Sequence, residues 1–417
     1  MRPGLRPFDE ALAALLAQAA PVDGVETVDT AAASGRVLAA DIRSTLDVPP
    51  RDNTQMDGYA VRRADLAGAT PERPVRLPIA QRIPAGQVGR PLRPGEAARI
   101  FTGGLIPEGA DAIVMQEMAA VDGETVAFSH APAPGEWIRR AGEDIRSGSV
   151  ILAAGTRLSP QATGLAASVG LASLPVRRRV RVACFFTGDE LAMPGEPLRP
   201  GAIYNSNRYV LGGLLRALGC ELDDLGNVPD SLAATRDALR RAARGNDLIV
   251  TSGGVSVGEE DHVKPAVEAE GELSLWQIAM KPGKPLAYGR VRRPGAAAAG
   301  GSNAMAHFIG LPGNPVSSFV TFLLLVRPFL QRLQGVVDVA PRVLPMRADF
   351  DWPKPDRRRE FLRARINARG GLDLFPNQSS GVLTSTVWGD GLIDNPPQHA
   401  IATGETVSFL PFAGLMD

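Results

Sequence analysis

The sequence predicts an α/β and β multidomain chain: a central doubly wound, mostly parallel α/β domain, a β-rich N-terminal domain and a small C-terminal β-barrel. Three observations predict it. Between Arg177 and Gly335 apolar runs alternate with amphipathic helical stretches, the rhythm of strand–helix–strand units that build a parallel sheet. From about Asp47 to Arg146 short β-like runs are separated by Pro and Gly. After Gly335 such runs return. With 417 residues the chain exceeds what one hydrophobic core serves. The expected segments are 1–45 with 147–177 (helical, linking, dimer-forming), 46–146 (β-rich), 178–335 (α/β) and 336–417 (barrel).

Residues 8–20 read as a helix, because Leu12, Leu15 and Leu16 share one face and Asp9 and Glu10 sit near its positive end. Turns in the β-rich stretch are marked by Pro49-Pro50, Pro84-Ala-Gly86, Pro107-Glu-Gly109 and Pro132-Ala-Pro-Gly135. Residues 158–170 form a second helix, with Ser159 as N-cap and Pro160 at the first helical position, where its missing N–H costs nothing. In the α/β segment, 180–186 is a strand leading into Thr187-Gly-Asp-Glu190, 207–218 is a helix, Asp230-Ser231 caps another helix ending near Arg244, and 248–251 is a strand. Residues 276–280 and 285–288 are strands around the turn Lys281-Pro-Gly-Lys284. Asn314 caps a helix reaching about Leu333. Strands at 342–349, 360–366, 372–375 and 406–411 complete the barrel.

The 45 basic and 45 acidic residues cancel, so no global field favours nucleic acid. The two cysteines, with Cys184 inside an apolar run, fit a reducing cytoplasm. The N-terminal residues lack the apolar core of a signal peptide, and the longest apolar run, 319–326, is too short to span a bilayer. A soluble chain with no membrane partner is expected.

The chemistry concentrates at strand ends. Thr251-Ser-Gly-Gly-Val-Ser-Val-Gly-Glu-Glu-Asp-His262 joins a buried strand to a glycine-rich turn whose bare N–H groups can grip an anion, then ends in three carboxylates able to hold a divalent cation. In a parallel sheet Asp189 and Glu190 reach the same edge. Lys281 and Lys284 add two cations, and Pro312-Gly-Asn-Pro315 opens a helix there. Singly, each has an ordinary reading as a tight turn, a charged hairpin or a helix start. Jointly, the four favour a phosphate-bearing ligand with Mg²⁺. The sequence contains no Walker-type loop, no dinucleotide fingerprint after a strand and no zinc-spaced Cys/His cluster. On spacing alone, the segments around Asp57, Thr102 and Asp144 are turns.

Taken in order, Met56-Asp-Gly-Tyr-Ala-Val61, Thr102-Gly103, Gly142-Glu-Asp-Ile145, Thr187-Gly-Asp-Glu190, Asn205-Ser-Asn207, Ser252-Gly-Gly-Val-Ser-Val-Gly258 with Asp261 and Lys264, Lys281-Pro-Gly-Lys-Pro285 and Leu311-Pro-Gly-Asn-Pro-Val-Ser317 form a distinctive set. The set resembles the molybdenum insertase, or molybdopterin molybdenumtransferase, family, which includes the E domain of gephyrin. The resemblance implies a cytoplasmic, homodimeric transferase of molybdenum cofactor biosynthesis. Its substrates would be adenylylated molybdopterin and molybdate, its products molybdenum cofactor and AMP, and Mg²⁺ would be required. Asp261 would be the first Mg²⁺ ligand, with Glu190 and Asp230 in support. Lys281 and Lys284 would contact phosphate or molybdate. Thr187, Gly188, Ser252, Gly253, Gly254 and Ser256 would line the anion cradle, and Pro312, Gly313 and Pro315 would shape the pocket. Arg359, Arg363 and Ser380 carry over from the C-terminal domain, while Asp57, Thr102 and Asp144 would complete the pocket from the second subunit.

The implied partners are a molybdopterin adenylyltransferase and cofactor-accepting enzymes. Two departures stand out: His262 occupies a position where an aromatic such as tyrosine is expected, and an Ala/Gly/Ser insertion at 291–306 lengthens a connection beside the site. Two other readings stay open. One is the related adenylyltransferase, a small single domain that lacks the flanking domains and the Asp57 and Thr102 motifs. The other is a non-catalytic dimeric scaffold.

Overall fold

The computed structural model of the chain describes residues 5–255, 262–295 and 304–416. Contacts group them into two units, one of Met1–Ala40, Gly155–Ser159 and Ser173–Asp417, the other of Asp41–Ala154 and Pro160–Ala172. The expected linking segment is thus shared out. Its strand Val25–Asp29 pairs with Ser173–Arg177 in the first unit, and its helix Pro160–Ser168 belongs to the second.

The first unit is built on a six-stranded sheet in the order Glu221–Val228, Arg181–Thr187, Leu248–Ser252, Met305–Leu311, Pro285–Arg292, Gly271–Gln277. The first four strands are parallel and the last two antiparallel. The parallel strands read as near-continuous apolar runs because both faces are covered. Val182, Cys184, Phe186, Val250 and Ile309 pack with helices Ser206–Ala217 and Pro315–Thr321, while Ala183, Phe185, Ile249 and Phe308 pack with Leu232–Ala243 and Val263–Glu270. This is the doubly wound arrangement the alternation predicts. Register aligns Phe186 with Ser252 and Ser252 with Leu311, so three loops leave one sheet edge side by side.

Capping differs in two places from expectation. Ser231, not Asp230, caps Leu232–Ala243, its Oγ accepting the Ala234 N–H at 3.3 Å. Asn314 occupies the cap position of its helix, but its side chain makes no capping bond. That helix continues through a π turn to Leu333 and is 19 residues long. It is apolar enough to cross a bilayer by composition, yet 94 % of its most apolar stretch is buried inside the protein. The uninterrupted run at 319–326 understates it, because Val316 to Leu333 is buried almost throughout.

The barrel sheet runs Met280–Lys281, Arg359–Ile366, Gly391–Asn395, Thr406–Pro411, Leu344–Arg347, with Leu372–Leu374 also on Arg359–Ile366. A bridge between Ala348 and Leu372 closes it. Strand Gly391–Asn395 and helix Thr384–Trp388 are additions to the sequence reading. A further correction concerns the lysine turn. Pro285–Arg292 pairs with Gly271–Gln277, whereas Met280–Lys281 leaves that sheet to pair with Arg359–Glu360.

The second unit holds a six-stranded sheet in the order Ala112–Met115, Gly58–Val61, Ala97–Ile100, Val75–Ile83, Thr125–Phe128, Ala119–Asp122. Tyr59, Val61, Val114 and Phe128 fill one side, Ala60, Ile83, Ile100 and Ile113 the other.

Candidate active site

A cleft of about 910 Å³ opens where the parallel strands end, as expected for a doubly wound sheet. Its floor is the turn after Leu248–Ser252. Gly253 has φ +97° and Gly254 φ +63°, and a Cβ on Gly253 would lie 2.7 Å from the Thr187 carbonyl oxygen. A Cβ on Gly254 would lie 2.6 Å from Val263 Cγ2. Only glycine fits either position. Ser256 and Asp261, both expected here, lie outside the described residues.

Asn207 ties three loops together. Its Nδ2 donates to Ser252 Oγ and to the Gly313 carbonyl, each at 2.8 Å, and Ser252 Oγ donates to the Pro312 carbonyl at 2.9 Å. Thr187, Gly188, Ser252, Pro312, Gly313 and Pro315 all line the cleft, as does Asn205, whose side chain caps the helix that carries Asn207. The sequence marks Asn205-Ser-Asn207 as one member of the motif set without a role for Asn207, and the groups it joins are visible only in space.

Lys281 and Lys284 both line the cleft. Lys281 Nζ pairs with Glu360 at 3.1 Å and stands 3.6 Å from Asp356. Lys284 is exposed and makes no salt bridge among the described residues. Arg358, Gln378, Ser379 and Ser380 add a wall from the barrel. The Val316 N–H donates to the Ser380 carbonyl at 3.0 Å, which holds that wall to the start of helix Pro315–Thr321.

Arg359 is a correction. It does not line this cleft but is locked to Asp394 at 2.6 Å and Asp9 at 2.8 Å, with its guanidinium over the Phe8 ring. Its neighbour Arg358, in the bend just before strand Arg359–Ile366 and held by Asp356, lines the cleft instead. Arg363 is also not a wall residue. It is buried beneath the loop, donates to Ser385 Oγ and the Ser379 carbonyl, and is pushed down to about 10 by burial.

Of the acids, Glu190 and Asp230 line the cleft. Asp189 is turned to the Asp230 backbone, its Oδ1 accepting that N–H at 3.2 Å. Among the described residues no three metal-ligating side chains gather.

In the second unit, Asp57 Oδ1 accepts the Thr102 N–H and hydroxyl, each at 2.7 Å. These bonds, with Arg99 nearby, hold its carboxyl below the usual range. Asp144 is exposed, its N–H bound to the Val48 carbonyl at 3.0 Å.

Residues 6–170 match the MoeA N-terminal region (domain I and II), 183–332 a probable molybdopterin binding domain, and 345–412 the MoeA C-terminal region (domain IV). The chain is 38 % identical over 417 residues to molybdopterin molybdenumtransferase of Haemophilus influenzae, covering 98 % of this chain and 99 % of that one. The chain belongs to the molybdopterin molybdenumtransferase family. Another member, molybdopterin molybdenumtransferase 2 of Mycobacterium tuberculosis, is 39 % identical over 89 % of this chain and 90 % of its own. The crystal structure of the molybdopterin biosynthesis moeA protein from Pyrococcus horikoshii OT3 superposes with a TM-score of 0.84 at 29 % identity, over 98 % of this chain and 100 % of that one. In this family member the cleft residues from Thr187 to Pro315 fall within the molybdopterin-binding match, and Arg358 and Ser380 within the C-terminal match.

Proposed function

We propose that the chain inserts molybdenum into molybdopterin, using adenylylated molybdopterin and molybdate and releasing AMP, in an Mg²⁺-dependent reaction. Family membership supports the transferase activity. The observation that carries the finer reading is the meeting, in one cleft, of a glycine turn, three cations and two carboxylates. Molybdate and a pyrophosphate repel each other. Lys284 offsets that repulsion by its charge, Lys281 and Arg358 add hydrogen-bond donors, and the turn at Gly253 and Gly254 takes the phosphate. Glu190 and Asp230 present hard oxygen donors of the kind Mg²⁺ prefers, with Asp261 as the further ligand. Bound there, Mg²⁺ would neutralise phosphate charge.

In this reading Asp57, Thr102 and Asp144 act from the second subunit of a homodimer, and a molybdopterin adenylyltransferase supplies the substrate. The unpaired, buried thiols Cys184 and Cys220 support a reducing, cytoplasmic setting. The test is incubation of the protein with adenylylated molybdopterin, Mg²⁺ and molybdate, followed by assay of AMP release and metal insertion. Asp261→Ala should abolish both while the dimer persists, and Lys284→Ala should raise the KM for molybdate at least about tenfold. Absence of AMP release from the wild type, or full activity in Asp261→Ala, would sink the proposal.

A further inference from the structure

We infer that Glu360, in the barrel, is a positioning residue that aims Lys281 into the cleft and tempers its charge. The inference rests on the cleft being an oxyanion and phosphate site. Glu360 is 0 % exposed, and its carboxylate sits behind the cleft wall. Oε1 accepts Lys281 Nζ at 3.1 Å; Oε2 accepts Trp352 Nε1 at 2.8 Å and the Asp356 N–H at 3.1 Å. Asp356 in turn takes the Arg358 guanidinium at 3.0 and 2.9 Å.

Such a buried carboxylate persists only when it is paired and hydrogen-bonded. Here the pairing has a direction, because Lys281 and Arg358 line the cleft and the two acids do not. The backbone agrees: Met280–Lys281 runs parallel to Arg359–Glu360, with Lys281 in register with Glu360. Strand pairing and ion pair therefore fix the same ammonium in the same place. For stability alone an apolar residue would serve as well, since replacing a buried ion pair with packed apolar groups is often neutral or better.

Lys281, Arg358, Glu360 and Asp356 together carry no net formal charge. The two cations thus offer donors of fixed direction with little net attraction, while exposed Lys284 keeps its charge uncompensated among the described residues. This division suits turnover. Excess positive charge would bind the oxyanion and the pyrophosphate equally well before and during reaction, which deepens the ground state without lowering the barrier.

The test uses the full chain. In Glu360→Gln, molybdate should bind about tenfold tighter by calorimetry, because a charge behind the ammonium is gone, while turnover with adenylylated molybdopterin falls at least about tenfold. Trp352→Phe removes one donor to Glu360 but leaves the Lys281 pair, so affinity and turnover should stay within about twofold of wild type. A purely structural Glu360 predicts the same parallel loss of affinity, turnover and melting temperature in both variants. That result, or unchanged molybdate binding in Glu360→Gln, overturns the inference. Should Glu360→Gln fail to fold, Glu360→Asp keeps the charge and withdraws it by one methylene. Lower turnover at an affinity within about twofold then supports the inference, and unchanged turnover overturns it. A wild type that binds no molybdate refutes the underlying site reading, an outcome distinct from all of these.

Discussion

Replacing Asn207 with alanine tests whether the three loops of the cleft behave as one piece. Asn207 is 9 % exposed and spends both hydrogens of its amide on two acceptors, the buried Ser252 Oγ and the Gly313 carbonyl at the cleft edge. An acceptor stripped of its partner in a buried site costs about 1–3 kcal/mol. Ser252 Oγ keeps its own bond to the Pro312 carbonyl, and Gly313 borders the cleft, where water can replace the lost donor. The lower half of the range therefore applies to each, and the pair amounts to about 2–3 kcal/mol. Urea unfolding should show an earlier midpoint at unchanged slope. Turnover should fall further than the folded fraction does, because the Ser252 and Gly313 turns lose their common anchor. Asn207→Asp keeps the shape but cannot donate to Gly313, so it should cost at least as much. A midpoint for Asn207→Ala within about 0.5 kcal/mol of wild type would refute the reasoning.

Gly254→Ala should destabilise by about 2–4 kcal/mol, since it combines a left-handed φ with a Cβ only 2.6 Å from Val263 Cγ2; wild-type stability in chemical denaturation would show that the turn relaxes freely. Thr102→Val should raise the midpoint of Asp57 in an NMR titration, because the hydroxyl bond that favours the ionised carboxyl is gone, and an unmoved midpoint would assign the shift elsewhere. His307, half-buried against Tyr288 and Phe329 and flanked by Arg290, Arg293 and Asp247, is pushed down to about 4, chiefly by desolvation. The unfolded chain therefore binds the extra proton first. Stability should drop by on the order of 1–3 kcal/mol as pH falls from about 6.5 towards 4, and His307→Gln should flatten that slope; equal slopes would dismiss the histidine.

The parallel strands were legible because a strand covered on both faces must be largely apolar, as the run Leu248 to Val250 is. The glycine turn and the lysine turn were legible as a candidate site only jointly, since singly each has an ordinary structural reading, and the structure does bring both to one cleft. What escaped was whatever depends on partners remote in sequence. Within Arg357-Arg358-Arg359 nothing local says which arginine faces the cleft; the pairing with Met280–Lys281 decides it. Strand Gly391–Asn395 carries Gly, Asp and Asn, turn-like by type, and becomes a strand because Leu392 and Ile393 fill the core between its neighbours. The orientation of Asp189 and the capping by Ser231 rather than Asp230 escaped for the same kind of reason, because a backbone N–H and a neighbouring serine settle where those side chains serve, while Asp230 keeps its place in the cleft.

The crossing of Met280–Lys281 into the barrel sheet also sets an order of assembly. Lys281 meets Glu360 79 positions further along the chain, so the lysine turn emerges from the ribosome long before the strand that fixes it exists. Pairing over that separation is slow relative to local contacts. The α/β core can gather first, but the lysine wall takes its final form only when the last quarter of the message has been translated. A product cut short before Arg359 would keep its glycine turn and lose the strand and the carboxylate that fix Lys281.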